Sequence, residues 1–315
     1  MADLQRAAEL LRGWDKILIL SHRSPDGDTL GCASALSRAL ISLGKSVRFR
    51  CADEVSPKFA YLFDGIAYGE FEPERIVTVD VADKSLLGAL ERLGERADLA
   101  IDHHATHRPF AKETYVDASA GAACQIIWRL MPKLGAEITP EIADCLYTGI
   151  STDTGCFRYS NATPETYRIA ADLIECGARA AEINRVMFDT KSRAAIALLK
   201  RVYSDMEFFC GGRCAVLCLT QALIEETGAQ EDDLDGVSSL VRQVEGVLFG
   251  LTIRERGRDE YKVSMRATEP MNAAEVCARF GGGGHKGAAG CTIHAPLEEV
   301  KARVVAACGE ALEKL

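Results

Sequence analysis

Aspartate and histidine recur at four places in the first half of the chain, each beside a change of local pattern. The segments are His22-Arg23-Ser24-Pro25-Asp26-Gly27-Asp28, then Asp80, then Asp102-His103-His104, and last Ser151-Thr152-Asp153-Thr154-Gly155. Alone, each is ordinary: an aspartate closing a strand usually forms a turn or caps a helix, and a histidine pair usually sits at the surface or hydrogen-bonded in the core. Four such pieces at four element ends are poorly explained by coincidence. Gathered together, Asp26, Asp28, Asp80 and Asp153 carry −4, and without counter-ions they repel and raise one another's pKa values. Two divalent cations cancel that charge (−4 + 4 = 0), with His22 and His103 completing the donor shells. Carboxylate mixed with imidazole suits manganese and is compatible with magnesium, cobalt or iron. Two such ions about 3.5–4 Å apart share one activated water and clamp a phosphoryl group from both sides. Asp80, on a middle strand, is the expected bridge between them.

Elements must bring these pieces to one edge. Lys16–Ser21, Val47–Cys51, Arg75–Asp80 and Asp98–Asp102 are short runs rich in Ile, Leu and Val, expected as strands. Helical spacing covers Gly27–Leu43, Ser85–Leu93 and Ala120–Leu130, followed by Pro140–Ile150, Pro164–Glu175 and Ala180–Phe188. Strands alternating with helices predict an α/β domain, a parallel sheet with helices on both faces. Ligand sites in such sheets lie beyond the carboxyl ends of the strands, where the Asp and His residues fall.

Past residue 190 the pattern changes. Ser192–Tyr203 reads as a bridging helix. Met206–Cys210 and Arg213–Leu219 read as a hairpin on Gly211-Gly212, and Val247–Glu255 with Tyr261–Ala267 as a second around Gly257. Helices at Asn272–Phe280 and Leu297–Leu312 complete a smaller mixed α+β domain. The expected division is 1–190 for the metal-binding domain, 191–204 for a linker helix and 205–315 for the second domain. That second domain holds Phe280-Gly281-Gly282-Gly283-Gly284-His285-Lys286-Gly287, running into a strand at Ala288–His294. Consecutive glycines let peptide N–H groups approach an anion closely, and His285 and Lys286 add donors. A flexible linker would carry more serine and would not run straight into a strand. Arg266, closing the preceding strand, is a further candidate phosphate contact.

As a set, His22-x-x-Pro25-Asp26-x-Asp28, Asp80, Asp102-His103-His104 and Thr152-Asp153-Thr154-Gly155 resemble the four motifs of the DHH phosphoesterase superfamily. The resemblance implies that His22, Asp26 and Asp80 hold one metal, while Asp28, Asp80, His103 and Asp153 hold the other. It implies that His104 faces the substrate phosphate and that Asp102 orients the histidines, as metal-bound imidazoles usually require. Arg158 is expected to assist at the phosphate, and Tyr159 is divided between base stacking and a core role. The run Gly282-Gly283-Gly284-His285 resembles the hallmark of the substrate-binding DHHA1 domain. Together the modules are similar to the stand-alone group that combines oligoribonuclease with 3′-phosphoadenosine 5′-phosphate phosphatase activity. One stretch departs from that group. After Asp117, where relatives carry a Ser/Thr-rich helix start and then Glu, this chain reads Ala118-Ser119-Ala120-Gly121-Ala122-Ala123-Cys124-Gln125, with fewer hydroxyls for a phosphate or sugar.

The bulk properties bound the partners. Over 315 residues, 48% hydrophobic and 26% charged content is that of a soluble globular protein with proper cores. A net charge of −9 argues against long duplex nucleic acid, which binds to basic surface, but leaves short RNA or small nucleotides received by metal ions. No apolar run approaches the roughly 20 residues of a membrane helix, and the N-terminus opens an amphipathic helix without a signal-peptide core. The twelve cysteines form no CxxC pair; Cys210, Cys214 and Cys218 read as small buried thiols. A cytoplasmic enzyme without membrane partners is expected, and a homodimer is left open. The competing readings are a linear or cyclic dinucleotide phosphodiesterase (pApA, cyclic di-AMP), an inorganic pyrophosphatase, and a non-catalytic nucleotide-binding regulator.

Overall fold

The apolar runs of the first half become β1 (Ile17–Leu20), β2 (Val47–Arg50), β3 (Arg75–Val79) and β4 (Leu99–Asp102). With β5 (Glu113–Val116) they form an all-parallel sheet in the order β2-β1-β3-β4-β5. The structure is a computed structural model that describes residues 3–234 and 236–314, so the first two residues of the expected N-terminal helix lie outside the described residues. The chain divides after Thr190 into two compact units.

Alternation along β1 feeds two cores. Ile17 and Ile19 face a cluster built with α1 (Leu4–Gly13) and α2 (Gly27–Ser42), whereas Leu18 and Leu20 pack with Val81, Leu87 and Leu90 on the other face. The short helix α3 (Glu91–Gly94) lies on that second side. The expected helix Ser85–Leu93 is instead a 3₁₀ segment, Lys84–Leu90, broken at Gly88 (φ 58°, ψ −125°) before α3. The expected helix at Ala120–Leu130 is α4 (Ala123–Leu134), which starts later because its first amides are taken by a distant carboxylate. α4 packs with α5 (Pro140–Asp153), α6 (Pro164–Glu175) and α7 (Ala180–Asn184); the last passes into a π-helical turn, Arg185–Asp189. Two glycines set the approach of these helices. A Cβ on Gly31 would lie 2.4 Å from the Cys145 carbonyl oxygen, and one on Gly149 would lie 2.3 Å from Cys124 Sγ.

The second unit opens with α8 (Arg193–Ser204), the segment expected as a linker. Its Leu198 and Val202 are buried in this unit with Ala215 and Leu217. The hairpins form as β6 (Glu207–Phe209) with β7 (Cys214–Leu219), and β8 (Phe249–Gly257) with β9 (Glu260–Ala267). Between them run α9 (Gln221–Thr227) and α10 (Val237–Leu240); beyond them come α11 (Ala273–Ala278), β10 (Gly283–His285), β11 (Ala288–His294) and α12 (Leu297–Leu312). The mixed sheet has the order β10-β11-β9-β8-β7-β6, with only the β7–β8 pair parallel. Among the described residues, no helix is long and apolar enough to cross a membrane.

Candidate metal centre

Three strand ends and two helices deliver the acidic and imidazole groups. β1 leads into the loop bearing His22, and α2 starts at Gly27 with Asp26 as its N-cap, accepting the amides of Asp28 and Thr29. Thr29 Oγ1 donates to the Val79 carbonyl at 3.0 Å, which ties the first turn of α2 to the end of β3, where Asp80 follows. Asp80 sits at a left-handed φ of 57°, a conformation that Asp tolerates better than most residues. Asp102 ends β4, and Asp153 is the last residue of α5.

The donor atoms converge. His22, Asp26 and Asp80 bring ligand atoms within 4.8 Å of one another, and so do Asp28, His103 and Asp153. Asp80 joins the two sets, with Oδ2 at 3.6 Å from His22 Nε2 and Oδ1 at 3.5 Å from His103 Nε2. These separations are too long for hydrogen bonds and suit donors arranged around a shared cation. Both imidazoles are oriented by backbone: His22 Nδ1 donates to the Arg23 carbonyl at 2.8 Å, and His103 Nδ1 to the Ala120 carbonyl at 3.1 Å. A carbonyl only accepts, so each Nδ1 carries a proton and each Nε2 is the ring nitrogen aimed at the carboxylates, the arrangement of metal-ligating histidines. Asp80 Oδ1 is buried with no hydrogen-bond partner. An acceptor left bare in the interior is costly, and a cation is the partner that this donor set lacks.

Charge in the cluster behaves accordingly. Burial works against the His22 imidazolium, yet Asp26 and Asp80 overcome it and lift its pKa to about 11. Burial, followed by Asp80, Asp153 and Asp26, pushes Asp28 well above the usual carboxylate range. Asp153 rises to about 6, chiefly through burial and against the pull of His103. A proton between the carboxylates thus stands where a cation would bind.

Around this core, Asp102 is fully buried, and its oxygens meet His104 Nδ1 at 2.8 Å and His107 Nδ1 at 2.6 Å. Burial opposes its charge, but these two histidines hold its pKa below the usual range. The hydrogen bond from His104 to Asp102, outweighing the opposing effect of burial, raises that imidazole to about 9. Arg158 is exposed, donates from Nε to the Gly155 carbonyl and lies over the Phe188 ring. Tyr159 is 55% exposed, so the core role for it fails. Cys32 and Cys124 lie under Asp28 with their sulfurs 3.4 Å apart, and burial raises both thiols well up.

Sequence reasoning missed His107, Gln125 and Asn161. Asn161 Nδ2 donates to the carbonyls of both Gly121 and Asp153. Gln125, inside the departing stretch, accepts the Gly121 amide and donates to Thr166 Oγ1. That stretch is occupied with internal bonds. Only the Asp102-His103-His104-x-x-His107 spacing offered a signal, and it was too short to read.

In the second unit, Gly283–His285 form the edge strand β10 paired with β11, and Arg266 lies opposite Ala288 on β9. A Cβ on Gly282 would meet the Gly290 carbonyl at 2.2 Å and one on Gly284 the Ala288 carbonyl at 2.6 Å, whereas Gly283 faces open space. His285 is exposed, and Lys286 pairs with Glu269 at 3.2 Å.

A parallel sheet with Asp and His from four segments at one edge, followed by a mixed domain with a glycine-run hairpin, defines the DHH–DHHA1 class of phosphoesterase. This chain belongs to that family: the DHH family N-terminal domain matches residues 16–150 and the DHHA1 domain residues 211–314. It is 36% identical to the bifunctional oligoribonuclease and PAP phosphatase NrnA of Thermus thermophilus, over 99% of this chain and 95% of that one. Among solved structures, an exopolyphosphatase-related protein from Bacteroides fragilis superposes with a TM-score of 0.86 at 25% identity, covering 99% of this chain and 95% of that one. RecJ from Thermus thermophilus in complex with Mn²⁺ shares the fold at a TM-score of 0.55 and 20% identity, covering 96% of this chain and 54% of that one.

Proposed function

We propose that the chain cleaves short oligoribonucleotides and dephosphorylates 3′-phosphoadenosine 5′-phosphate, using two divalent cations for which manganese suits the donors. The observation that carries this reading is the division of the Asp80 carboxylate, one oxygen toward His22 and the other toward His103. His22, Asp26 and Asp80 would hold one cation, and Asp28, Asp80, His103 and Asp153 the other. The name of the Thermus thermophilus relative and the Mn²⁺ in its RecJ fold neighbour support the substrates and the metal respectively. When bound, the cations polarise the phosphoryl group and lower the pKa of the attacking water.

The chain's own residues supply the rest. His104, tied through Nδ1 to Asp102 and protonated at neutral pH, offers its Nε2–H to a phosphoryl oxygen. Arg158 would add a second positive donor for the phosphate. In the second unit Arg266, His285, Lys286 and the backbone at Gly283 and Gly284 would hold another phosphate of the substrate, whereas the Gly282 amide, expected as a further contact, is taken by the Cys277 carbonyl at 3.0 Å. Binding energy gathered there, away from the reacting bond, serves to position it. The test is a panel with Mn²⁺ comprising an RNA dinucleotide, 3′-phosphoadenosine 5′-phosphate, linear pApA, cyclic di-AMP and pyrophosphate. The first two should have the highest specificity constants. Preference for cyclic di-AMP or pyrophosphate would overturn the substrate assignment.

A further inference from the structure

The turn after β4 places a third histidine against Asp102. The His107 side chain is 4% exposed, and its ring stacks on Phe110 with centroids 5.7 Å apart. Its backbone amide donates to the His104 carbonyl at 3.0 Å, closing the turn, and the next amide, of Arg108, donates to the Ala82 carbonyl at 2.8 Å. The ring therefore stands on a fixed platform. Nδ1 lies 2.6 Å from Asp102 Oδ2, while Nε2 is buried with no hydrogen-bond partner.

These two facts determine the tautomer. A carboxylate at that distance accepts, so Nδ1 bears a proton. A second proton on Nε2 would leave a charged donor unsatisfied in the interior, which is strongly unfavourable. His107 thus presents its Nδ1–H to Asp102. On the other side of the same carboxylate, Asp102 Oδ1 accepts the His103 amide at 2.8 Å and the His104 Nδ1–H at 2.8 Å. Carboxylate rotation about the terminal torsion of Asp is soft and roughly two-fold, so one occupied oxygen does not by itself fix the plane. His107 occupies the other.

We propose that His107 is a positioning residue: its Nδ1–H locks the Asp102 carboxylate so that Oδ1 holds His104 with Nε2 facing the substrate phosphate. This rests on the reading above that His104 meets that phosphate. Removing the His107 donor leaves Asp102 Oδ2 buried and bare, so the carboxylate turns and the His104 ring turns with it.

Three substitutions in the full, metal-loaded chain separate this role from packing. His107→Asn sets an amide N–H near the Nδ1 position, His107→Gln sets one near the Nε2 position, and His107→Phe keeps the ring without a donor. Losing such an outer contact to a site histidine reduces activity by about 10–100-fold. That loss is expected in kcat for the Phe and Gln variants, with KM and metal content unchanged, while the Asn variant is rescued. The second readout needs no turnover: the low-field Nδ1–H proton resonance of His104 in metal-free protein should persist in His107→Asn and broaden away in His107→Phe and His107→Gln. If the Phe variant fails to fold, the contrast between Asn and Gln decides. Wild-type turnover together with an intact His104 resonance in Phe or Gln overturns the proposal. Loss of that resonance with unchanged turnover upholds the positioning and removes His104 from the reaction, so the two readings fail separately.

Discussion

Ala123, the first residue of α4, gives its amide proton at 2.6 Å to the carboxylate of Asp28, 95 positions earlier in the chain. The other Asp28 oxygen accepts the amide of Cys124 at 2.9 Å, while Ala122, at the cap position, has no side chain that could do so. One carboxylate therefore caps a helix and faces His103 Nε2 at 3.9 Å. The positive end of α4 helps to hold an anion in a place where burial and three other carboxylates oppose it.

Cap and ligand are separable. In metal-free protein below about pH 4, where the raised pKa of Asp28 carries no linkage penalty, Asp28→Ala should lower stability by about 1–2 kcal/mol, the usual scale for losing a cap. Asp153→Asn removes a proposed metal ligand that caps nothing. The folded-state pKa of Asp153 is raised to about 6, so the stability linked to its proton is present below its ordinary pKa and is lost as pH rises through about 6. Asp153→Asn should therefore stabilise the metal-free chain at pH above about 6 and make little difference below about 4. Urea melts in EDTA across that range are the measurement. Equal destabilisation by both substitutions would contradict the cap.

The same protons should oppose the metal. Loading must expel the proton that Asp26 and Asp80 hold on His22, and below about pH 6 also one on Asp153. Affinity for Mn²⁺ should rise with pH, more steeply on the acid side, with proton release visible by calorimetry in buffers of different ionisation enthalpy. An affinity independent of pH between about 5 and 8 would rule out the protonated cluster as the metal-free state.

Asp80→Asn is the decisive substitution at the proposed bridge. Asn accepts the left-handed backbone that Asp80 occupies, so the fold should survive. Turnover should fall by roughly 10³-fold or more, as when a group acting with others as a unit is removed. Both ions should weaken together. Retention of one ion at wild-type affinity would show that Asp80 serves a single site.

How far the sequence alone reveals this centre depends on whether each contact is local. The apolar runs of β1, β3 and β4 and the acids closing them are legible because period and punctuation are local properties. β5 (Glu113–Val116) reads Glu-Thr-Tyr-Val, too short and too polar to stand out, although it completes the parallel sheet. The helix assigned to Ser85–Leu93 has the right spacing, but Gly88 leaves helical geometry there, a choice made by packing. The start of α4 is illegible because its cap comes from Asp28. His107 escapes for the same reason: only the folded turn brings its Nδ1 to Asp102.

The glycine run offers a cleaner test than its histidine. Gly282 and Gly284 are required by the β10–β11 hairpin, where any Cβ would collide with β11 backbone. Gly283 meets nothing within 4 Å. Gly282→Ala should therefore destabilise the second unit, whereas Gly283→Ala should leave the melting temperature unchanged and raise KM for nucleotides by about tenfold or more, because its methyl would keep a phosphate from approaching the backbone amides. Hydrolysis of a small generic ester such as bis-p-nitrophenyl phosphate should be unaffected. A Gly283→Ala enzyme with unaltered KM would make the run purely structural.

Substrate length should be capped. On the proposed reading, productive binding uses one phosphate at the metal centre and a second at the contacts proposed in the second unit, so substrates with two separate phosphates gain. Phosphorylated dinucleotides and 3′-phosphoadenosine 5′-phosphate carry two separate phosphates and meet that requirement, which pyrophosphate does not. Each further phosphate meets a chain of net charge −9 and must find its own cation. Because the remote contact acts on positioning, a dinucleotide lacking the terminal phosphate should be slower in kcat as well as weaker in binding. Specificity constants for RNA of about two, five, ten and twenty nucleotides at fixed ionic strength should peak between about two and five and then fall. The salt dependence should be shallow for the same reason, since single strands contribute a log–log slope of about −0.7 per neutralised phosphate, or about −1.4 for two. A constant that climbs through twenty nucleotides with a steep salt slope would mean an extended basic track, and would place this chain with enzymes that follow long strands.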